Sequence, residues 1–267
     1  MVPVGLSRDA NHIYTANYDA GPIVLPGVTG ILKVLDKPAI IPWAQGIVAE
    51  AAIAHRAELE GWVSVGGVDG AIQLLRRAAE TQRDHAAQRG VEIHSLAEAI
   101  VKGQPVVVPE DLLPYVNAYR DWLDRFQPEF LAVEEMVCSL TYGYGGTLDS
   151  IGRIAGETWL WDVKTSKGVY PDTSQQLAPY GRADFIGRPN DPMKYQMPKI
   201  DLYGVIHVRP EGAELIPFDI TDREFEAFLA AKQQHQWRKD RGSLVIQQAI
   251  GPALLHFPNT PPKGAAA

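Results

Sequence analysis

Through the first thirty residues apolar positions never settle into a helical repeat, because Pro3, Pro22, Pro26 and several glycines interrupt them. That stretch is expected to be extended or turn-rich. From Pro38 to about Glu60 the run PAIIPWAQGIVAEAAIAHRAELE predicts a helix with Pro42 near its start. A second helical stretch spans roughly Asp69 to Ile100, with Gly90 as a candidate break. Its later part sets Ile93, Leu96, Ala97 and Ile100 on one face at three-to-four spacing. Val106 to Pro109 reads as a connector. Glu110 to Phe126 reads as another helix, opened by acidic residues that suit its N-terminal dipole.

The pattern then changes period. Phe130–Leu140, Thr147–Ile154 and Thr158–Thr165 are short, β-branched or aromatic, and divided by glycine-containing turns, so they predict strands. Ser174–Phe185 predicts a helix. Leu202–Val208 and Ala213–Phe218 predict a hairpin turned at Pro210-Glu211-Gly212. Thr221–Arg241 predicts a helix capped by Thr221 or Asp222, with Glu224 in its first turn. The expected division is a helical part over 1–127, a sheet-containing core over 128–250 and a frayed tail over 251–267, with one continuous domain as the alternative. There is no internal repeat and no phosphate-binding GxxxxGK[ST] loop.

With 267 residues, 46% of them hydrophobic, the chain can bury a large core. No apolar run approaches the ~18 residues of a membrane span, so no membrane partner is expected. The opening MVPVGLSRDANHIY lacks the pattern of a signal peptide, and cytoplasmic residence is the default expectation. One cysteine, Cys138, excludes an internal disulfide framework and any four-cysteine metal cluster. The net charge of −7 disfavours a protein that coats nucleic acid. It leaves room for an acidic enzyme with a local basic groove.

The densest chemistry lies in GTLDSIGRIAGETWLWDVKTS, residues 146–166. A hairpin turned at Ala155-Gly156 sets Ile154 opposite Glu157 and Asp149 opposite Asp162, on one face, and Lys164 shares that face two residues on. Trp159 and Trp161 take the other face, and a slip of one residue would separate the two carboxylates. Paired carboxylates suit a hard divalent cation such as magnesium. A lysine beside them can hold water and offset charge on a phosphorane. The same spacing also fits an exposed hairpin with weak surface ion pairs.

GTLD, then DVKT, then QLAPY resembles the RecB-like branch of the PD-(D/E)XK nucleases, and especially its stand-alone phage and actinobacterial exonucleases. The likeness extends over about residues 20–240, including IVLPGVTGILKVLDKPAIIPWAQGIVAE near the start and KIDLYGVIHVRPEGAELIPFDI near the end. It implies an α/β (mixed α+β) fold: a restriction-endonuclease-like core with a central mixed β-sheet flanked by helices, and a helical N-terminal part. It implies hydrolysis of DNA with Mg²⁺ or Mn²⁺. Asp149 and Asp162 match metal ligands, with the Val163 backbone carbonyl completing the shell, and Lys164 matches the catalytic lysine. Gln176 and Tyr180 match a Gln-x-x-x-Tyr motif, although Pro179 inside it implies a helix that starts late, near Ser174 or Gln175, or one that is kinked.

RGVEIHSLAEAI resembles the helix that supplies a histidine ligand, which selects His94; His55 and His85 match nothing. Glu134 falls where related phage enzymes carry a catalytic glutamate, with neighbouring Glu135 as the competitor, since a strand turns only one of them to the site. The iron–sulfur branch needs four cysteines, so no cluster is expected. The likeness further implies DNA ends or single strands as partners; a separate helicase or recombinase is a candidate partner whose existence the sequence does not reveal. Arg153, Lys167 and Tyr170 are the first candidates to touch DNA. Lys194, Arg238, Lys239 and Arg241 are further candidates on phosphates, and Tyr142 and Tyr144 on bases. Two alternatives stand beside the exonuclease: a non-catalytic DNA-end or partner-binding module of the same fold, and a hydrolase of a small phosphate ester.

Overall fold

A computed structural model describes residues 3–38 and 40–245. The extended opening forms a small antiparallel sheet of β1 (Pro3–Arg8), β2 (Ile13–Tyr18) and β3 (Ile23–Pro26). On β2 burial alternates, so Tyr14, Ala16 and Tyr18 pack inward. The part expected to be helical, 1–127, therefore also carries a sheet. Helices α1 (Val28–Leu32), α2 (Ile40–Ala54) and α3 (Leu59–Val101) follow. The helix continues through Gly90, whose cost relative to alanine is only about 1 kcal/mol. Its break falls instead at Gly67, in the left-handed region at φ 68°. A single 3-10 turn over Glu110–Leu112 precedes α4 (Leu113–Phe126).

The three strands expected after residue 128 are present as β4 (Glu129–Ser139), β5 (Tyr144–Ile154) and β6 (Glu157–Lys164). Helix α5 (Ser174–Gly181) stops four residues before the expected Phe185. There the chain enters the short strands β7 (Phe185–Gly187) and β8 (Tyr195–Gln196), which the sequence reading lacks. β9 (Leu202–Arg209) and β10 (Gly212–Phe218) form the expected hairpin. α6 (Asp222–Asp240) is capped by Thr221: its hydroxyl accepts from the Arg223 N–H, and Glu224 reaches back to the Thr221 N–H. The tail expected to fray, 251–267, lies outside the described residues.

Seven strands run in the order β10-β9-β6-β5-β4-β7-β8, antiparallel except for the parallel pair β6–β9, so the sheet is mixed. Helices cover both faces. Leu148, Ile151, Leu160 and Val205 pack under α1, α5 and α6 with Leu177 and Phe228. Trp161, Val163, Ile206 and Val208 pack under α3 and α4 with Ala97, Tyr119 and Trp122. The small sheet closes the remaining side through Leu6, Tyr14 and Leu25 against Met136, Cys138 and Phe185. Each fully buried large side chain contributes about 1.5–3 kcal/mol by leaving water. Among the described residues no helix is long and apolar enough to cross a membrane.

Candidate active site

The β5–β6 ladder runs from Ile154↔Glu157 to Ser150↔Trp161. It is closed by Ala155 (φ 53°) and Gly156 (φ 91°), two left-handed residues as a two-residue type I′ turn requires. The expected register holds to that point and then the ladder ends. In place of a ladder bond, Asp149 accepts a hydrogen bond from the Val163 N–H on Oδ2, at 2.7 Å.

A reversal of the pleat produces this arrangement. Ala132 and Val137 on β4 join the same core cluster, as do Leu148 and Ile151 on β5. A strict period of two would put each of these pairs on opposite faces. Between the paired Val133↔Ser150 and Glu135↔Leu148 stand Glu134 and Asp149, and Glu134 has a left-handed backbone at φ 52°. A non-glycine residue there costs about 1–2 kcal/mol. Strain of this kind persists where the surroundings enforce it, and it gathers at functional sites. Here it turns two facing acids out of the regular alternation, toward α3.

Helix α3 brings His94 to them because its neighbours Ile93 and Ala97 are buried and anchor it. His94 Nδ1 lies 3.3 Å from Asp149 Oδ2, and one ligand atom each from His94, Glu134 and Asp149 lie within 4.8 Å of one another. The cleft between them is also lined by Glu98, Tyr119 and Val163. It offers a water-sized sphere about 10 Å³, which is about one water's worth. Burial, then the Asp149 and Glu98 charges, push the Glu134 carboxyl up to about 8 against the weaker pull of Arg8 and Lys102. Burial first, then Asp162, also raises Asp149, opposed by His94, Lys164 and the Val163 N–H. Burial and Asp149 raise the Tyr119 phenol as well. Two carboxylates that resist ionisation together, an imidazole and room for one small sphere fit a divalent cation. The nitrogen donor suits Mn²⁺ better than Mg²⁺, which prefers oxygen alone.

Beside this cluster stands a second one. Asp162, 2% exposed, receives Lys164 Nζ on Oδ2 at 2.6 Å and Gln176 Nε2 on Oδ1 at 2.9 Å. Lys164 also donates to Gln176 Oε1 at 3.3 Å. The Lys164 contact with Oδ2 is an ion pair without good hydrogen-bond direction, so that buried oxygen keeps unused acceptor capacity. Burial alone would lower the Lys164 pKa, but the Asp162 and Asp149 carboxylates together outweigh it and hold the lysine above its ordinary value.

The grouping differs from the expected ligand set. Glu134, expected as a catalytic carboxylate, joins His94 and Asp149, whereas Asp162 is turned to Lys164 and Gln176. Val163 lines the cleft and shows its N–H to Asp149. Glu135 is paired with Arg188 at 2.8 Å, which leaves Glu134 as the glutamate of the site. Helix α5 does start at Ser174, so Pro179 falls in its second turn, where Tyr144 donates its hydroxyl to the Pro179 carbonyl at 2.8 Å. Tyr180 is buried with its ring against Gly146, where a Cβ would stand 2.4 Å from Cε1. Burial, then Asp162, lift its phenol well above the ordinary range.

The expected DNA contacts are dispersed. Arg153 sits near the hairpin turn, paired with Glu129 at 3.3 Å. Lys167 and Tyr170 are exposed in the loop directly after Lys164. That loop is held by His207 Nε2 and Arg209 Nη1, at 2.8 and 3.0 Å from the Ser166 carbonyl. Lys194 lies over the Tyr18 and Phe185 rings, and Arg238, Lys239 and Arg241 lie at the far end of α6. Tyr144 is fully buried, so the expected stacking on bases is excluded for it; Tyr142 is exposed, edge-on to Phe225.

Arg8, Tyr14 and Glu98, like Tyr119 in the cleft lining, escape the sequence reading. Arg8 donates to Thr147 Oγ1 at 3.2 Å and acts electrostatically on Glu134, and Tyr14 shares the same hydroxyl at 2.9 Å. Nothing in residues 3–18 announces this, because only the packing of the small sheet delivers them. Glu98 had a signal, since it lies one turn beyond His94 on the same helix face. Compared with known proteins, the chain matches no family model and no curated sequence.

Proposed function

We propose that the chain is a metal-dependent nuclease that hydrolyses phosphodiester bonds of DNA, acting from ends as an exonuclease. The observation that supports this reading is the meeting of two clusters at the open end of one hairpin: His94, Glu134 and Asp149, and beside them Asp162, Lys164 and Gln176. His94, Glu134 and Asp149 would hold Mg²⁺ or Mn²⁺, with the Val163 carbonyl beside them. The ion would supply Lewis-acid polarisation of the phosphate and a more acidic bound water.

The chain's own groups do the rest. Lys164 stays charged because Asp162 and Asp149 keep it so, and Asp162 with Gln176 fixes its direction. A fixed ammonium holds a water for attack and offsets the charge gathering on the phosphate oxygens. The loop carrying Lys167 and Tyr170 begins where Lys164 ends. It is the proposed path of the strand, with Lys167 on a phosphate and Tyr170 on an unpaired base. Arg8 offers a further cation on the Glu134 side. The narrowness of the cleft favours a second reading, a small phosphate diester as substrate.

End-labelled linear DNA, closed circular DNA and bis(p-nitrophenyl) phosphate, each with Mn²⁺, Mg²⁺ or chelator, separate these readings. The expected result is digestion of the linear DNA alone, dependent on metal and lost in Lys164→Ala. Turnover of the small diester without DNA would move the assignment to the second reading. Equal digestion by parent and Lys164→Ala would reject both.

A further inference from the structure

We propose that the arm formed by α2 and the first part of α3, from Ile40 to Leu74, joins two copies of this chain through a helix-on-helix interface. Helix α2, IIPWAQGIVAEAAIA, is apolar all round, and none of its residues is buried. Helices of that composition belong in a protein interior. The main contacts of α2 are with α3, and the side chains turned away from α3 are left to solvent. Ile41 is 63% exposed, Ile53 67%, Val65 93% and Val68 63%. Ile40, Val63, Ile72 and Leu74 add to the same arm.

The rest of α3 sets a contrast. From Arg76 to Glu92 the helix is just as open, but it carries Arg76, Arg77, Glu80, Arg83, Asp84 and Arg89 and is solvated in the ordinary way. Along α3 the exposed aliphatic side chains gather in the arm, with Val91 the exception in the charged stretch that follows.

Area and charge identify the occupant. The eight exposed aliphatic side chains present on the order of 800 Å², the share that one partner contributes to a standard stable interface. A monomer rarely leaves so much apolar surface uncovered. Between Ala39 and Leu75 the only Lys or Arg is Arg56, so the arm lacks the basic groups that bind phosphate backbones or anionic lipid surfaces. α2 carries a single charge, Glu50, so a charged partner surface finds little to pair with. An identical arm brings equal area, and a two-fold axis closes the assembly with Glu50, Glu58, Glu60 and Asp69, balanced only by Arg56, as the like charges it must hold apart.

Sedimentation of the full chain tests this independently of any nuclease activity. The expected species at about 50 µM has twice the 29.3 kDa of the chain and dissociates on dilution. Ile53→Lys with Val68→Lys, both at exposed positions, should weaken the dimer at least ~100-fold by placing like charges across the axis. The thermal unfolding of the resulting monomer confirms that it folds. A parent chain that stays monomeric at about 100 µM, or a dimer indifferent to both substitutions, would overturn the proposal.

Discussion

The two ends of the β5–β6 hairpin follow different rules. At the turn, Ala155 and Gly156 set the register, and from Ile154↔Glu157 to Ser150↔Trp161 the pairing is regular. At the open end the ladder stops, Asp149 bonds to a backbone N–H of β6, and the pleat reverses beside a left-handed Glu134. Regular pairing makes the closed end a structural clamp. Departure from it gathers ionisable groups that a regular strand would keep on separate faces. The catalytic geometry proposed here depends on a local break in periodicity, held by the order on either side of it.

Substitutions at the open end should carry the largest effects. Asp149→Ala is expected to abolish metal binding, read by calorimetry with Mn²⁺, and to cut digestion by about 10⁴-fold, as when one member of a cooperative catalytic unit is lost. Lys164→Ala should reduce the rate by about 10²–10³-fold with metal affinity unchanged, because the ammonium acts on water and developing charge. Equal losses of metal binding in both variants would contradict the division of the site into two clusters. Arg8→Ala is expected to raise KM for DNA about tenfold and leave kcat nearly intact, the worth of one charge-assisted hydrogen bond. A change confined to kcat would show that Arg8 tunes Glu134 instead.

The same end should govern the response to pH. Glu134 titrates higher in the folded chain, at about 8, than its ordinary 4.5. Between those values the unfolded chain has released a proton that the folded chain retains. Metal-free stability should therefore fall as pH rises from about 4.5 toward 8, with Asp149 acting in the same direction. Glu134→Gln should flatten that decline, and Mn²⁺ should reverse it, since only ionised carboxylates bind the ion. Melting temperatures with chelator and with Mn²⁺ across this range measure both effects. The turn end gives the smallest effect. Ala155→Asn, which suits a left-handed turn position better, should stabilise by about 1 kcal/mol, or roughly 2–4 °C in Tm, with no change in activity.

What could be read in advance follows the same boundary. That Asp162 and Lys164 share a side of β6 was legible from a period of two, whereas the directly opposed Asp149–Asp162 pair expected from the turn does not form, because the ladder ends at Ser150↔Trp161. The strands of the core were legible from the switch of period near residue 128, whereas the mixed sheet with flanking helices was an implication of the likeness to the nuclease family. Glu134 was separable from Glu135 only by likeness, since period two cannot anticipate its own reversal. The membership of Glu134 in the His94–Asp149 cluster, and the turn of Asp162 toward Lys164, depend on backbone dihedrals that no pattern of apolar residues encodes. Arg8 and Tyr14 reach the site across more than a hundred residues. Short β7 and β8 lack enough residues to show a period at all.

The parallel pairing of β6 with β9 has a consequence in time. β5 lies beside β6 across a two-residue turn, and such hairpins close in about 1–10 μs. β9 begins at Leu202, with the whole 165–201 segment between, so its docking must first close a long loop. During synthesis at about 5–20 residues per second, the hairpin bearing Asp149, Asp162 and Lys164 emerges seconds before the strand that lies along Asp162, Val163 and Lys164. Until then one edge of β6 has no neighbour, an invitation to mispairing. The loop beyond Lys164 also waits for His207 and Arg209 of that late strand. A nascent chain ending before Leu202 would carry the acids and the lysine without the scaffold that aligns them, so competence should arrive with β9.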